Sequence, residues 1–493
     1  MEVDWQRADA VAVEGDRIGW VGSENELDSF ECRGAEVVDC GGRLLLPGFI
    51  DAHAHVLATA AALDAVDCSP AMVSSIAMIV ERLRARTAEL PAGIWLNGHG
   101  YHEAALQERR QPTRADLDRA AAGRPLRLIH ASGHASVLNS MALTQVGITT
   151  ATEEPPGGTI VREVSTGEPN GLLIEMEDWL DRRLPRAVDW RLSLLLARLS
   201  ERLLAAGVTS VQDLGHRNDG SRARFLARCI EDGSFRPRLT MATSWDAFAI
   251  GDAAVGHGIA LGPVKIMQNE TGDTLEPGPA ELADRVLRIH KAGRQAAIHA
   301  VQQRSIVAAL DAIASALSRE PRRDHRHRIE HASLTPPPLA SRIASLGVIA
   351  VSNPSFLFES GDRYRDTLPD GELPFLYDVA GLRRAKVSVA AGSDCPVSAP
   401  EPIEGILAAA TRQTRAKYRL PGDLLSPRQA IELYTTAAAY AGFAEQQKGR
   451  IAPGLLADLV LLDGDLEGAP LHLRPMMTIL GGAIAWRSAR ERD

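Results

Sequence analysis

Hydrophobic and polar positions along this chain follow two rhythms. Val208-Thr-Ser-Val211, Pro263-Val-Lys-Ile-Met267, Gln295-Ala-Ala-Ile-His299, Arg326-His-Arg-Ile-Glu-His331, Val348-Ile-Ala-Val351 and Val387-Ser-Val-Ala-Ala391 are short, mainly apolar runs. Such runs predict buried strands. Between them, Arg191–Ala206, Pro279–Ala292, Ser305–Arg319 and Ser426–Gly442 place apolar residues at helical spacing. Strand–helix alternation of this length predicts parallel βα units, and a (β/α)8 barrel is the α/β fold that holds them. The stretch 58–205 is too long for one such unit and predicts an inserted subdomain that shapes a substrate pocket. The two ends share a different style. Asp9–Gly22 alternates around a Gly-Asp turn, and 449–462 and 475–487 do the same around Pro453-Gly454 and Gly481-Gly482. They predict one small β-sandwich domain from residues 1–46 and 446–493, flanking a barrel at 47–445.

Candidate chemistry begins where an apolar run meets histidine. Leu45-Leu-Pro-Gly-Phe-Ile-Asp-Ala-His53-Ala-His55 leads a buried strand into a His-x-His. On a strand, residues two apart point to the same side, so the two imidazoles form a ready pair of metal ligands. Lys265, His299, His331 and Asp394 each lie near the C-terminal end of a later strand, the face on which barrel active sites are built. Each alone is a weak signal. In the order His-x-His, Lys, His, His, Asp they form a specific set.

This set, together with Gly133-His134, Asn139-Ser140, Gly167-Glu-Pro-Asn-Gly171, Gly207-Val-Thr-Ser210, Ile329-Glu-His331-Ala, Gly392-Ser-Asp394 and Gly454-Leu-Leu-Ala-Asp458, resembles the amidohydrolase superfamily, and within it the amidohydrolase-3 (YtcJ-like) family. The resemblance runs nearly the whole chain. It implies that His53, His55 and Asp394 hold one divalent metal and that His299 and His331 hold a second. It also implies that Lys265, carboxylated by CO2, bridges them. Imidazole and carboxylate ligands make zinc the expected ion, with iron, manganese or nickel as alternatives and a single-metal form also open. Two such ions share a hydroxide and polarise a carbonyl. Asp394 then carries the proton from the attacking water to the leaving nitrogen. The expected activity is hydrolysis of a non-peptide C–N bond in an amide, cyclic amide or N-formyl group. The alternatives are a deaminase on the same barrel and a metal-binding homologue without catalysis. Superfamily deaminases resemble one another in a glutamate three residues after the fifth-strand histidine, and here that position is Gln302.

The chain departs from the family pattern at Asn269-Glu270, where Asp-Gly is usual, and at Gln302-Gln303, where Gly-Asp is usual. Neither change touches an implied ligand. The resemblance also implies a first sandwich strand that is missing here or starts upstream. Trp95, His134 and Gln302 are expected at the substrate, with His99, Tyr101 and His130 nearby in sequence. Asp51, Pro47 and Gly48 are expected to shape the strand entry, Arg162-Glu163 to form a surface ion pair, and Arg319–His327 to be a solvated loop.

Charge and composition narrow the partners. With 54 basic and 63 acidic residues the formal net charge is −9, so neither nucleic acid nor an anionic membrane is expected to bind. No run of eighteen apolar residues predicts a membrane span, and Met1–Arg7 has no signal-peptide character. The five cysteines, Cys32, Cys40, Cys68, Cys229 and Cys395, are scattered and odd in number, as in a reduced, cytoplasmic protein. A small-molecule substrate and a homo-oligomer, a dimer, complete the expectation.

Overall fold

The computed structural model describes residues 7–29, 34–90, 94–121, 123–155, 157–184, 189–251, 257–272, 274–466 and 472–489, so Cys32 lies outside the described residues. The chain divides into two compact units, Met1–Val56 with Leu196–Asp493, and Leu57–Leu195.

The first unit is built on eight strands: β1 (Phe49–Ala54), β2 (Val208–Asp213), β3 (Arg238–Ser244), β4 (Ile259–Met267), β5 (Ala296–Ala300), β6 (Arg328–His331), β7 (Ile349–Ser352) and β8 (Ser388–Ala391). They lie side by side in chain order, and every adjacent pair from β1 to β8 is parallel. The expected (β/α)8 barrel is present. One strand, β3, is not visible in the apolar pattern. Its Thr240, Thr243 and Ser244 are buried, and hydroxyl residues enclosed on both faces read as polar in sequence.

The barrel closes at the β8–β1 seam, where no ladder joins the strands. Asp394 N–H donates to His53 O at 2.7 Å and His55 N–H donates to Cys395 O at 3.0 Å. This approach requires glycine at 392, because a Cβ there would meet His53 N at 2.4 Å. The outer side of the seam is covered by Ala438, Ala439 and Ala441, which pack with Ile50, Ala52, Ile349, Val351 and Ala390. The helix expected over Ser426–Gly442 is two short ones, Pro427–Leu433 and Thr436–Ala441. At the break Thr435 leaves helical geometry while its Oγ1 bonds the Ile431 carbonyl.

The Arg319–His327 run corrects its expectation. Arg323 and Asp324 are exposed, but His325, Arg326 and His327 are buried. His327 Nδ1 accepts from Ala296 N–H, so its Nε2–H donates to His290 Nδ1 at 2.8 Å, and His290 Nε2 donates to the Glu320 carbonyl. His325 Nδ1 accepts from His327 N–H while its Nε2 donates to Leu346 O. Burial is affordable because each ring is neutral with both nitrogens bonded.

Leu44–Pro47 pairs with Leu459–Asp465 in a four-stranded antiparallel sheet that also contains His472–Leu480 and Ala483–Arg487. An N-terminal hairpin, Ala10–Glu14 with Arg17–Gly22, bonds to the C-terminal segment through Ile18 N–H to Leu455 O.

The second unit carries a six-stranded mixed sheet. Its strands Val66–Asp67, Leu96–Tyr101 and Leu126–His130 are parallel neighbours. Its core packs the helices Ile76–Glu89 and Arg114–Ala121 against Leu96, Leu126 and Leu128. Among the described residues no helix is long and apolar enough to cross a membrane.

Candidate metal centre

The ends of β1 and β8 bring His53, His55 and Asp394 together, with one potential ligand atom of each within 4.8 Å of the others. Both imidazoles aim Nε2 at the same Asp394 Oδ1, at 3.4 Å from His53 and 2.9 Å from His55. Two donors on one zinc ion, each 2.0–2.1 Å away at a tetrahedral angle, stand about 3.4 Å apart. His53 Nε2 is buried and has no hydrogen-bond partner. An orphaned imidazole nitrogen facing a carboxylate fits a divalent cation.

Neighbouring residues fix which nitrogens carry lone pairs. His53 Nδ1 lies 2.5 Å from Glu330 Oε2, and Arg328 grips both oxygens of Glu330 at 2.5 and 2.9 Å. Arg328 is itself held by Gln212 Oε1 and the Ala52 carbonyl. An acceptor carboxylate at Nδ1 places the proton there and leaves Nε2 with its lone pair. His331 repeats the device. Its Nδ1 lies 2.8 Å from Asn353 Oδ1, and Asn353 is oriented by donating Nδ2 to Gly392 O. Its ring stands 4.9 Å from that of His53 and 4.6 Å from that of His299. His55, His53, His331 and His299 therefore form a continuous row of ring contacts across the barrel mouth.

Lys265, on β4, is buried. Burial pushes its ammonium down to about 8, against Glu330, Asp394 and Asp213, which pull it up. For Asp394 burial pushes upward most, but His53, His55 and His331 together outweigh it and hold the carboxyl below its ordinary range. Burial above all, with the Lys265 charge adding to it and Asp394 opposing it, drives His53 and His331 toward the neutral form that ligates metals.

Asp51 does more than shape the strand entry. It accepts from Ser393 N–H and Ser393 Oγ–H, at 3.0 and 2.5 Å, and so fixes the loop that presents Asp394. Burial raises it to about 6. Asp394 has φ 57° and His331 φ 72°, left-handed values that non-glycine residues adopt at a cost and that cluster at functional sites.

The remaining expected residues stand as follows. Gln302 is exposed where β5 passes into the helix Gln303–Arg319, its N–H bonded to Ser305 Oγ. Trp95 and His134 belong to the second unit. Trp95 packs against the cluster around Leu138 and Leu143, and His134 Nδ1 meets Glu175 at 3.0 Å. Arg162 bonds the carbonyls of Thr149, Thr152 and Gly167 in place of an ion pair with Glu163. Glu330, Arg328 and Asn353 are positioning groups that carry no expectation from sequence, and Asp51 carried only that of shaping the strand entry. Charged residues two apart inside a strand expected to be buried, Arg328 and Glu330, were the available signal. Asn353 offers none.

A parallel eight-stranded barrel that converges histidines and an aspartate on its C-terminal rim defines a metal-dependent hydrolase. This chain belongs to the amidohydrolase family, whose Amidohydro_3 model matches residues 36–485, and it is a hydrolase of non-peptide C–N bonds. It is 31% identical to the N-substituted formamide deformylase of Arthrobacter pascens, over 97% of this chain and 95% of the relative. It is 26% identical to the YtcJ protein of Bacillus subtilis, over 98% and 97%. In fold it is similar to an uncharacterized metal-dependent hydrolase from Pyrococcus horikoshii, with a TM-score of 0.73 at 20% identity over 94% of this chain and 95% of that one.

Proposed function

We propose that this protein hydrolyses an N-substituted formamide, or a closely related small amide, to a carboxylate and an amine. The observation that carries this reading is the convergence of His53, His55 and Asp394 in a chain aligned almost end to end with a formamide deformylase.

His53, His55 and Asp394 hold one divalent cation, with zinc the ion their chemistry suits best. His299 and His331 would hold a second, and Lys265, carboxylated by CO2, would supply the anion shared between the two sites. The bound metal supplies Lewis acidity, activating water and polarising the carbonyl. The side chains do the rest. Asp394 takes a proton on its carboxylate from the attacking water and delivers it to the departing nitrogen. Glu330 and Asn353 hold His53 and His331 in the tautomers that leave Nε2 available. Asp51 holds the Asp394 loop. Gln302 supports amide hydrolysis over deamination, because a carboxamide has no acidic proton to give a ring nitrogen. Trp95, His134 and Gln302 remain the residues proposed to contact substrate.

The test is a screen of the metal-loaded enzyme against N-alkyl and N-aryl formamides, N-acyl amines, cyclic amides and nucleobases. The expected products are formate and amine in equal amounts. Ammonia release from a nucleobase without amide turnover would overturn the reading in favour of a deaminase.

A further inference from the structure

A second group of potential ligands lies in the unit Leu57–Leu195, at the C-terminal ends of two neighbouring parallel strands. Tyr101, which ends Leu96–Tyr101, is in register with His130, which ends Leu126–His130. The chain turns at once after Tyr101, and this places His102 and Glu103 beside His130. Ligand atoms of the three lie within 4.8 Å of one another. Glu103 Oε2 is 3.0 Å from His130 Nε2 and 3.6 Å from His102 Nδ1. These separations bracket the roughly 3.4 Å expected for two donors on one tetrahedral zinc.

The rings are already held. His102 and His130 have centroids 4.7 Å apart, and Tyr101 packs edge-on against His130 at 5.2 Å. The imidazoles are 13% and 10% exposed, and the Glu103 carboxylate is 33% exposed. The site therefore has rigid nitrogen donors and a side open to solvent. His130 Nδ1 lies 2.8 Å from Ser132 Oγ and accepts from Ser132 N–H at 3.1 Å, so the ring proton sits on Nε2 toward Glu103 and is the proton that a bound cation would replace. His102 Nδ1 accepts a long bond, 3.2 Å, from Ala104 N–H. A bound cation would replace this contact and the hydrogen bond between His130 Nε2 and Glu103.

We propose that His102, Glu103 and His130 form a metal site of their own within the unit Leu57–Leu195, which takes a borderline transition-metal dication of the zinc class with its remaining position open to solvent. Two imidazoles and one carboxylate select zinc, nickel or copper over calcium and magnesium, which prefer oxygen ligands. The half-exposed carboxylate makes the ion exchangeable, whereas His53 in the barrel is fully enclosed.

The test is a metal titration of the full-length protein after its barrel centre has been loaded and free ion removed. Isothermal titration with Zn2+, and Co2+ titration followed by its visible absorption, should show one further equivalent in the wild-type protein. Glu103→Gln and His130→Gln should each weaken that uptake at least tenfold and leave the tightly held barrel metal in place by elemental analysis. His102→Asn, which keeps an acceptor for Ala104 N–H, should do the same and separates ligation from capping. Circular dichroism checks that each variant folds. Calcium should not bind. Uptake beyond the barrel metal that is absent in the wild-type protein, or equal in wild type and all three variants, would show that the trio is only a hydrogen-bonded His–Glu pair.

Discussion

The two histidine clusters use the same architectural device and differ in how it is supported. Each sits at the C-terminal ends of parallel strands, where side chains from neighbouring strands converge. In the barrel, Arg328 and Glu330 lock His53, Asn353 locks His331, and Asp51 locks the Asp394 loop. All of these groups are buried. In the second unit, Glu103 is itself a member of the cluster, and Ser132 and the Ala104 N–H bond the far sides of the two imidazoles. The difference separates a cluster whose side chains are fixed by buried partners from one whose carboxylate is partly open to solvent. Supporting contacts commonly change metal affinity 10–100-fold, so the contrast is measurable.

The largest effect is expected at Asp394. Asp394→Asn should lower kcat by at least about a hundredfold, the scale of lost acid–base catalysis, with an unchanged circular dichroism spectrum. A variant that kept wild-type kcat would remove the functional distinction between the clusters.

Next comes the support itself. Glu330→Gln removes the charge from a buried pair with Arg328 and weakens the acceptor at His53 Nδ1. Metal affinity of the barrel centre should fall about 10–100-fold. Stability should fall by up to about 3–5 kcal/mol, the cost of leaving one buried charge without its counter-ion. The lower end is expected, because Gln212 and the Ala52 carbonyl still hold Arg328. Competition with a chelator and denaturant unfolding measure the two quantities.

A smaller effect depends on pH. Burial holds His325 and His327 below their unfolded value, with His290 and Arg322 adding to the depression and Asp324 opposing it for His325. Below about pH 6.5 the unfolded chain binds protons that the native rings refuse. Stability is therefore fully present above that pH and declines as pH falls, by up to about 1.4 kcal/mol per pH unit for each histidine. His327→Gln should flatten the slope by one such contribution. An unchanged slope would show that these rings take up protons without unfolding.

The smallest effect is expected in the second unit. Glu103→Gln should change unfolding stability by no more than about 1 kcal/mol, because its pairs with His102 and His130 are partly solvent-exposed. Together with the Glu330→Gln result it measures how much enclosure adds to the same chemical pairing.

The barrel was legible because its strands are short apolar runs, and the ligand set because histidine and aspartate at strand ends are chemically conspicuous. What stayed hidden was polar residues that enclosure alone makes structural. Strand β3 is concealed by Thr240, Thr243 and Ser244. The buried His325–His327 run looks like a charged loop until the backbone groups that satisfy it are in place. Asn353 is an ordinary residue until His331 and Gly392 are on either side of it. The His102–Glu103–His130 cluster was half visible, since His130 stood out in sequence while its partners needed the register between two strands.

The seam between β8 and β1 has a consequence for biosynthesis. His55 and Asp394 are 339 residues apart in the chain and meet only when the last barrel strand lies down beside the first. No nascent segment that stops short of that strand holds the full ligand set, so metal capture reports a finished barrel. The residues of the His102–Glu103–His130 cluster come from neighbouring strands of the unit Leu57–Leu195, so their meeting does not wait for the last barrel strand.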